Sequence, residues 1–163
     1  MPDIIKNQDN RREFVNTLNE LNDPNIIVII PDVGFNYLDD PNNKFKVLNL
    51  GVTEQSATII AATLALSGFK VFLYSMINFV LFRPAEMVRN GIVCHNAPVT
   101  LIGVKGSSSY KFLGFSHNLL HESEDFDFCE NIGLDYFAPE NTQEVRQTII
   151  DCYNSDKPNY VRL

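Results

Sequence analysis

The sequence predicts an α/β fold: a Rossmann-like, doubly wound and mainly parallel sheet with helices on both faces. Three observations carry this. Segments with apolar residues at helical spacing alternate with short apolar runs, the pattern of repeated βαβ units. Ile26-Ile-Val-Ile-Ile30 is an unbroken β-branched run, as expected of a strand covered on both sides. No internal repeat or long linker divides the 163 residues, so residues 1–163 are read as one domain.

The elements follow in order. Phe14, Val15, Leu18 and Leu21 share one helical face across Arg11–Leu21, and Asp23-Pro24-Asn25 stops that helix. The strand Ile26–Ile30 is closed by Pro31-Asp32-Val33-Gly34. A polar loop then leads to a short apolar piece, Lys46–Leu50. From Thr53 the helical period returns through Ile59, Ile60, Leu64 and Leu66, and Gly68 supplies a stop. Phe69–Tyr74 reads as a strand. Pro84–His95 reads as a helix, with Pro84 tolerated in its first turn. Pro98–Val104 is a further buried strand, followed by a Ser- and Gly-rich loop over Lys105–Phe115 and a short helix within Leu119–Cys129. Leu134–Phe137 is a short strand, Thr142–Tyr153 a helix, and Asn159–Arg162 the last strand.

At this length folding buries roughly 70% of the unfolded chain's surface, enough for a sizeable core. Thirteen Lys and Arg against twenty Asp and Glu give a net charge of −7, a poor match to nucleic acid, so no nucleic-acid partner is expected. Cys94, Cys129 and Cys152 are odd in number and have no C-x-x-C spacing, which argues against a disulfide framework or a zinc site. The apolar stretch Ala57–Tyr74 is interrupted by Thr58, Thr63, Ser67, Gly68 and Lys70 and changes period, so it is not read as a membrane span. The first ten residues lack a basic region followed by an apolar one, and a cytoplasmic location is expected.

In parallel α/β sheets ligands gather at the carboxyl ends of the strands, which directs attention to four segments: Pro31–Tyr37, Leu48–Gln55, Tyr74–Arg83 and Lys105–His117. No G-x-G-x-x-G, no P-loop and no G-x-S-x-G elbow occurs among them. Gly106-Ser-Ser-Ser109 could form a small anion nest or simply a flexible loop. Glu54 stands at a strand-to-helix junction, before a helix bearing Ala57, Ala61, Ala62 and Ala65. Alone it reads as a first-turn carboxylate favoured by the helix dipole.

Its surroundings say more. Asn49, Gly51, Val52, Glu54 and Gln55 fit N-x-G-[IV]-x-E-Q before an alanine-rich helix, and this resembles the pyrimidine-binding domain of transketolase-like thiamine-diphosphate enzymes. Five further landmarks resemble that family in order: Arg12–Leu18, Pro31–Phe35, Asn96–Val99, Gly114–His117 and Pro158–Leu163.

The resemblance implies thiamine diphosphate as cofactor. It also implies that the Glu54 carboxyl bonds to a ring nitrogen of the aminopyrimidine and promotes its imino tautomer, a general acid–base task. Tyr74–Arg83 aligns with the family's ring-binding stretch. There Phe79 matches an aromatic position, Phe82 offers another, and Met76 replaces a frequent Phe; for Met76 and Phe82 a place in the core is the equal alternative. His117 resembles a histidine facing the substrate, its alternative being a solvated loop residue. Arg83 and Arg89 fall near the cleft in this reading.

The family's diphosphate domain carries Gly-Asp-Gly and a later Asn, which hold Mg²⁺. This sequence contains no Gly-Asp-Gly. The expectation is therefore a stand-alone pyrimidine-binding subunit, completed by a transketolase-like partner that holds Mg²⁺ and diphosphate, as a homodimer or heterotetramer. The substrate would be a small sugar or 2-oxoacid, and the group transferred a two-carbon ketol or acyl unit. A subunit of a 2-oxoacid decarboxylase or dehydrogenase and a non-catalytic interaction module are the alternatives.

Overall fold

The computed structural model describes residues 2–31, 37–106 and 108–163. Six strands form one sheet: β1 (Ile26–Ile30), β2 (Lys46–Asn49), β3 (Lys70–Met76), β4 (Val99–Val104), β5 (Asp135–Phe137) and β6 (Asn159–Arg162). Their order is β2-β1-β3-β4-β6-β5, and every pairing is parallel. The helices are α1 (Pro2–Leu21), α2 (Glu54–Leu66), α3 (Ala85–Met87), α4 (Glu124–Ile132) and α5 (Thr142–Asn154).

Strand alternation divides the core in two. Ile27 and Ile29 of β1, Val71 and Leu73 of β3, and Val99 and Leu101 of β4 face α2, α4 and the residues around Val88 and Ile92. Ile26, Val28 and Ile30, Phe72 and Tyr74, and Ile102 and Val104 face α1 and α5, where Phe14, Leu18, Val145 and Ile149 meet them. The continuous β-branched run of β1 is thus explained: both of its faces are buried. Phe14 stacks on Tyr74 with centroids 5.5 Å apart and meets Phe72 edge-on.

Most elements lie where the sequence puts them, and the differences have local causes. The first helix starts at Pro2, well before Arg11, on a polar stretch that has no helical apolar period to announce it. Helical structure after β3 begins at Asn78, inside a segment read as a strand-following loop, and much of it is π-helical, over Asn78–Phe82 and Val88–Val93. The Arg83 amide bonds to the Asn78 carbonyl and the Cys94 amide to the Arg89 carbonyl, five residues back in each case. Pro84 has no amide to continue an α ladder, and its ring would crowd the carbonyl four residues earlier, so the wide turn ends against it. The stretch after β4 is not simply a loop: Ser108–Ser116 forms 3₁₀ turns, with a break at Gly114. Helix α4 starts later than expected, at Glu124, and ends in a Schellman turn through Gly133. The alanines of α2 all lie buried against the sheet, which leaves Ile59, Ile60 and Leu66 on its outer face.

Tyr160 of β6 ties this core to α4. Its ring is fully buried, and its hydroxyl donates to Asp125 Oδ2 at 2.6 Å. Burial, with the Asp125 charge beside it, pushes that hydroxyl's pKa well above the ordinary value. The ring fits because Gly103, its neighbour on β4, has no side chain: a Cβ there would stand 2.6 Å from the Tyr160 ring and hydroxyl. Gly103→Ala is therefore expected to displace Tyr160 and destabilise the fold by about 1–3 kcal/mol. A urea midpoint equal to that of the unaltered chain would show that Tyr160 has room to retreat.

Candidate functional site

The turn between β2 and α2 is built by the motif residues themselves. Asn49 Oδ1 accepts the Gly51 amide at 3.0 Å, and the Gly51 carbonyl accepts the Thr53 amide at 2.7 Å. Gly51 has φ +69°, a left-handed conformation that glycine adopts without strain. Thr53 then caps the backbone of α2, while its hydroxyl donates to the Leu50 carbonyl. Glu54 is consequently the first residue of α2, at the carboxyl end of the sheet, and its side chain is only 10% exposed. Gln55, next in the motif, is exposed.

The Glu54 carboxylate is paired. Arg83 Nη1 donates to Glu54 Oε1 at 2.5 Å, and the Arg83 guanidinium carbon also lies 4.0 Å from the centroid of the Phe79 ring. Phe79 in turn meets His117 edge-on, with centroids 5.0 Å apart and planes at 80°. The Tyr110 ring lies parallel to that of His117, with centroids 6.3 Å apart. A line of contacts therefore runs Glu54–Arg83–Phe79–His117–Tyr110. It draws on the segments that follow β2, β3 and β4, where the strand ends bring them together.

His117 is held in a defined state. Ser116 has one hydroxyl proton and donates it to the Leu113 carbonyl at 2.8 Å; a carbonyl can only accept. The 2.7 Å contact between Ser116 Oγ and His117 Nδ1 then requires Nδ1 to carry the hydrogen, which leaves Nε2 of a neutral ring as an acceptor. Asn78 fixes this loop from the π turn, donating to the Phe115 carbonyl at 3.0 Å.

The other residues singled out from the sequence sit elsewhere. Phe82 meets Phe128 of α4 edge-on at 5.8 Å and packs against the core. Met76 is buried at the end of β3, opposite Val104. Arg89 donates to Asn90 on the surface, and His95 Nδ1 lies 2.7 Å from the Asn90 carbonyl. Asp32 to Phe35 of the Pro31–Phe35 landmark, and Ser107 of the proposed anion nest, lie outside the described residues. Sequence reading placed Arg83 near the cleft but missed its link between Glu54 and Phe79. The four-residue spacing of Phe79 and Arg83, one helical turn, is a signal for their contact alone; the pairing with Glu54 has none. Tyr110 and Ser116 had no such signal.

Beside the His117 segment opens a cleft of about 520 Å³, lined by Lys105, Lys111, Phe115, Leu120, His121 and Glu122. Its wall is an ion-pair network. Lys105 Nζ lies 2.6 Å from both Glu122 carboxylate oxygens, and Arg162 donates to Glu122 Oε1 at 2.9 Å and to buried Asp125. Among the described residues no group of three His, Cys, Asp or Glu side chains is placed to hold a metal ion. No helix among them is long and apolar enough to cross a membrane.

Comparison with known proteins bears on the family and the fold. The family model described as "Transketolase, pyrimidine binding domain" matches residues 9–163. A protein of Actinobacillus succinogenes named as one subunit of apulose-4-phosphate transketolase is 32% identical over 119 residues, covering 72% of this chain and 37% of that protein. The protein of the same name from Phocaeicola vulgatus is 29% identical over 158 residues, covering 94% of this chain and 50% of the relative. The solved structure titled "Split gene transketolase, inactive beta4 tetramer" superposes with a TM-score of 0.78 at 22% identity, over 94% of this chain and 50% of that one, a likeness of fold. The chain thus spans half or less of the length of these relatives.

The Glu122 network makes a pH prediction. Hydrogen bonding from Lys105, with the Lys105 and Arg162 charges, holds the Glu122 carboxyl below its ordinary value of 4.5. A carboxyl lowered in the folded state stabilises above its unfolded pKa, and that contribution is lost as pH falls through the folded value. Because Glu122 is largely exposed, the effect is small. Glu122→Gln is expected to lower Tm by about 1–3 °C at neutral pH and by nothing once both proteins are well below pH 4.5. A deficit that persists unchanged into acid would assign it to packing.

Proposed function

The chain belongs to the transketolase pyrimidine-binding domain family, and from that premise we propose that it is the pyrimidine-binding subunit of a heteromeric transketolase-like enzyme. With thiamine diphosphate, that enzyme moves a two-carbon ketol or related acyl unit between small sugar-type substrates. The observation that carries the reading is the buried Glu54 carboxylate set at the start of α2, linked through Arg83 to the Phe79 face and the His117 ring.

These residues suit an aminopyrimidine ring. The Arg83 guanidinium already lies over Phe79 while bonded to Glu54, so a planar, N–H-donating cation is accommodated between that ring face and that carboxylate. The cofactor, when bound, supplies the carbon nucleophile that takes up the two-carbon unit. The protein's part is proton handling and orientation. Glu54 Oε holds or shares a proton with the ring nitrogen it faces, and its burial strengthens that bond relative to water. Phe79 offers a flat face that fixes the ring plane. His117 presents Nε2 as an acceptor to a substrate hydroxyl, with Nδ1 locked on Ser116.

Mg²⁺ and the diphosphate are assigned to a partner subunit, a reading favoured by the names of the relatives, one a transketolase subunit and one a split-gene transketolase. Apolar side chains left bare near the site favour such a partner: Val52 beside Glu54, Phe112 at 82% exposed, Phe115 at 74%, and Leu120. The relatives bear names that speak of a transketolase subunit and of a "split gene" transketolase. These fit a two-subunit assembly, and a heterotetramer is the stoichiometry proposed.

Reconstitution with a diphosphate-binding subunit and assay of ketol transfer tests the reading. Glu54→Gln is expected to lower turnover by about 10²–10⁴-fold with the circular dichroism of the subunit unchanged. Turnover equal to that of the unaltered complex would refute the role of Glu54. Activity on 2-oxoacids in place of sugar phosphates would reassign the enzyme to the decarboxylase or dehydrogenase class.

A further inference from the structure

Arg83 does two things at once that a bound pyrimidine would also have to do. It donates to the Glu54 carboxylate at 2.5 Å, and its guanidinium lies 4.0 Å from the centre of the Phe79 ring. A guanidinium and a protonated aminopyrimidine share the relevant chemistry: both are flat, cationic, carry N–H donors in the plane, and stack on aromatic faces. One carboxylate oxygen and one ring face cannot serve both groups together. Resting on the cofactor reading above, we propose that Arg83 occupies the pyrimidine's own place in the unliganded chain, and that ring binding displaces its guanidinium from Glu54 and from Phe79.

The surroundings support a displaceable group. Glu54 is held firmly: it is buried at the first turn of α2, and its backbone carbonyl accepts the buried Thr58 hydroxyl at 2.8 Å. Arg83, by contrast, is 45% exposed, and Glu54 and Phe79 are the partners its side chain has among the described contacts. Its backbone sits at the end of the π turn, against Pro84, where a wide turn is followed by only three α-helical residues. An exposed, flexible stem can carry the guanidinium into solvent without moving the fold. In the free chain the contact has a physical use: it neutralises a nearly buried carboxylate whose partner among the described residues is Arg83. The Glu54–Phe79 pair is on this account a site for planar cationic donors, with Arg83 its resident occupant.

The test titrates the full chain with thiamine, which carries the ring without the diphosphate, and follows binding by NMR in the unaltered chain, Arg83→Ala and Arg83→Met. Removing the resident should raise thiamine affinity roughly five- to tenfold, and the Arg83 side-chain resonance of the unaltered chain should lose its Phe79 ring-current shift at saturation. Low-millimolar guanidinium ion should compete with thiamine in Arg83→Ala and leave the unaltered chain unaffected. Arg83→Met keeps the stem and guards against misfolding of the alanine variant. Thiamine bound equally or more weakly by both variants, or an Arg83 resonance that does not move, overturns the proposal while the cofactor reading stands. Thiamine that perturbs neither Glu54 nor Phe79 in any of the three proteins also overturns the displacement, while the cofactor reading itself is decided by the Glu54→Gln assay of the reconstituted complex.

Discussion

A carboxylate taken out of water needs a charged or hydrogen-bonding partner, and the candidate site is organised around that requirement at Glu54. The side chain is nearly buried because Asn49 and Gly51 fold the β2–α2 turn so that α2 begins at Glu54, over the carboxyl end of the sheet. Arg83 meets the requirement from the segment after β3. In doing so it is drawn over Phe79, and Phe79 is drawn against His117. One electrostatic demand thus links three loops that share no sequence neighbourhood. The dipole of α2 also favours a negative charge at its first residue, so local and long-range terms act in the same direction.

The sheet makes this convergence possible. With strand order β2-β1-β3-β4-β6-β5 and all pairings parallel, every strand delivers its carboxyl end to the same edge of the molecule. The core beneath is closely packed around Tyr160. Tyr160 fills the space above Gly103 and bonds Asp125, which Arg162 also grips, so α4 is fixed to β6. The wide π turns on either side of Pro84 are the exception in this regular layout, and the first of them falls on the segment that carries Phe79 and Arg83. π turns recur at functional sites because the wide turn re-aims side chains that an α ladder would place elsewhere.

Much of this was legible in the sequence. The strands could be read because buried parallel strands are continuous apolar runs, as in Ile26–Ile30, and α2 because Ile59, Ile60, Leu64 and Leu66 recur at helical spacing and Gly68 ends it, although Ile59, Ile60 and Leu66 prove to be exposed. Glu54 was legible as a motif residue, and Phe79 by its place in an aligned segment. What could not be read were features set by tertiary contact or by backbone hydrogen-bond choice. The π turns have no periodic signature of their own. The first residues of α1 carry Ile4 and Ile5 but no apolar residue that repeats them at helical spacing before Phe14. Phe82 and Phe79 are indistinguishable as residues, yet a shift of three positions around a helical turn sends one to Phe128 and the core and the other to Arg83 and His117. Arg83 itself was visible only as a nearby charge, because an ion pair across 29 residues is a property of the fold.

The same geometry bears on why such a site would be assembled from two surfaces. Among the described residues a carboxylate, one aromatic face and an imidazole edge come together, whereas small-molecule sites bury most of their ligand's surface. The 520 Å³ cleft does not supply the missing walls, since its lining includes neither Glu54 nor Phe79 nor His117. Within the proposed function, further enclosure is assigned to a partner surface, which the bare Phe112, Phe115 and Val52 are suited to meet. Enclosure would also exclude water from Glu54 and strengthen its bond to the ring. Arg83 has a complementary place in this scheme: it supplies a partner for Glu54 while the site is open to solvent, and on the displacement proposed above its exposed stem lets it yield that position to the ring.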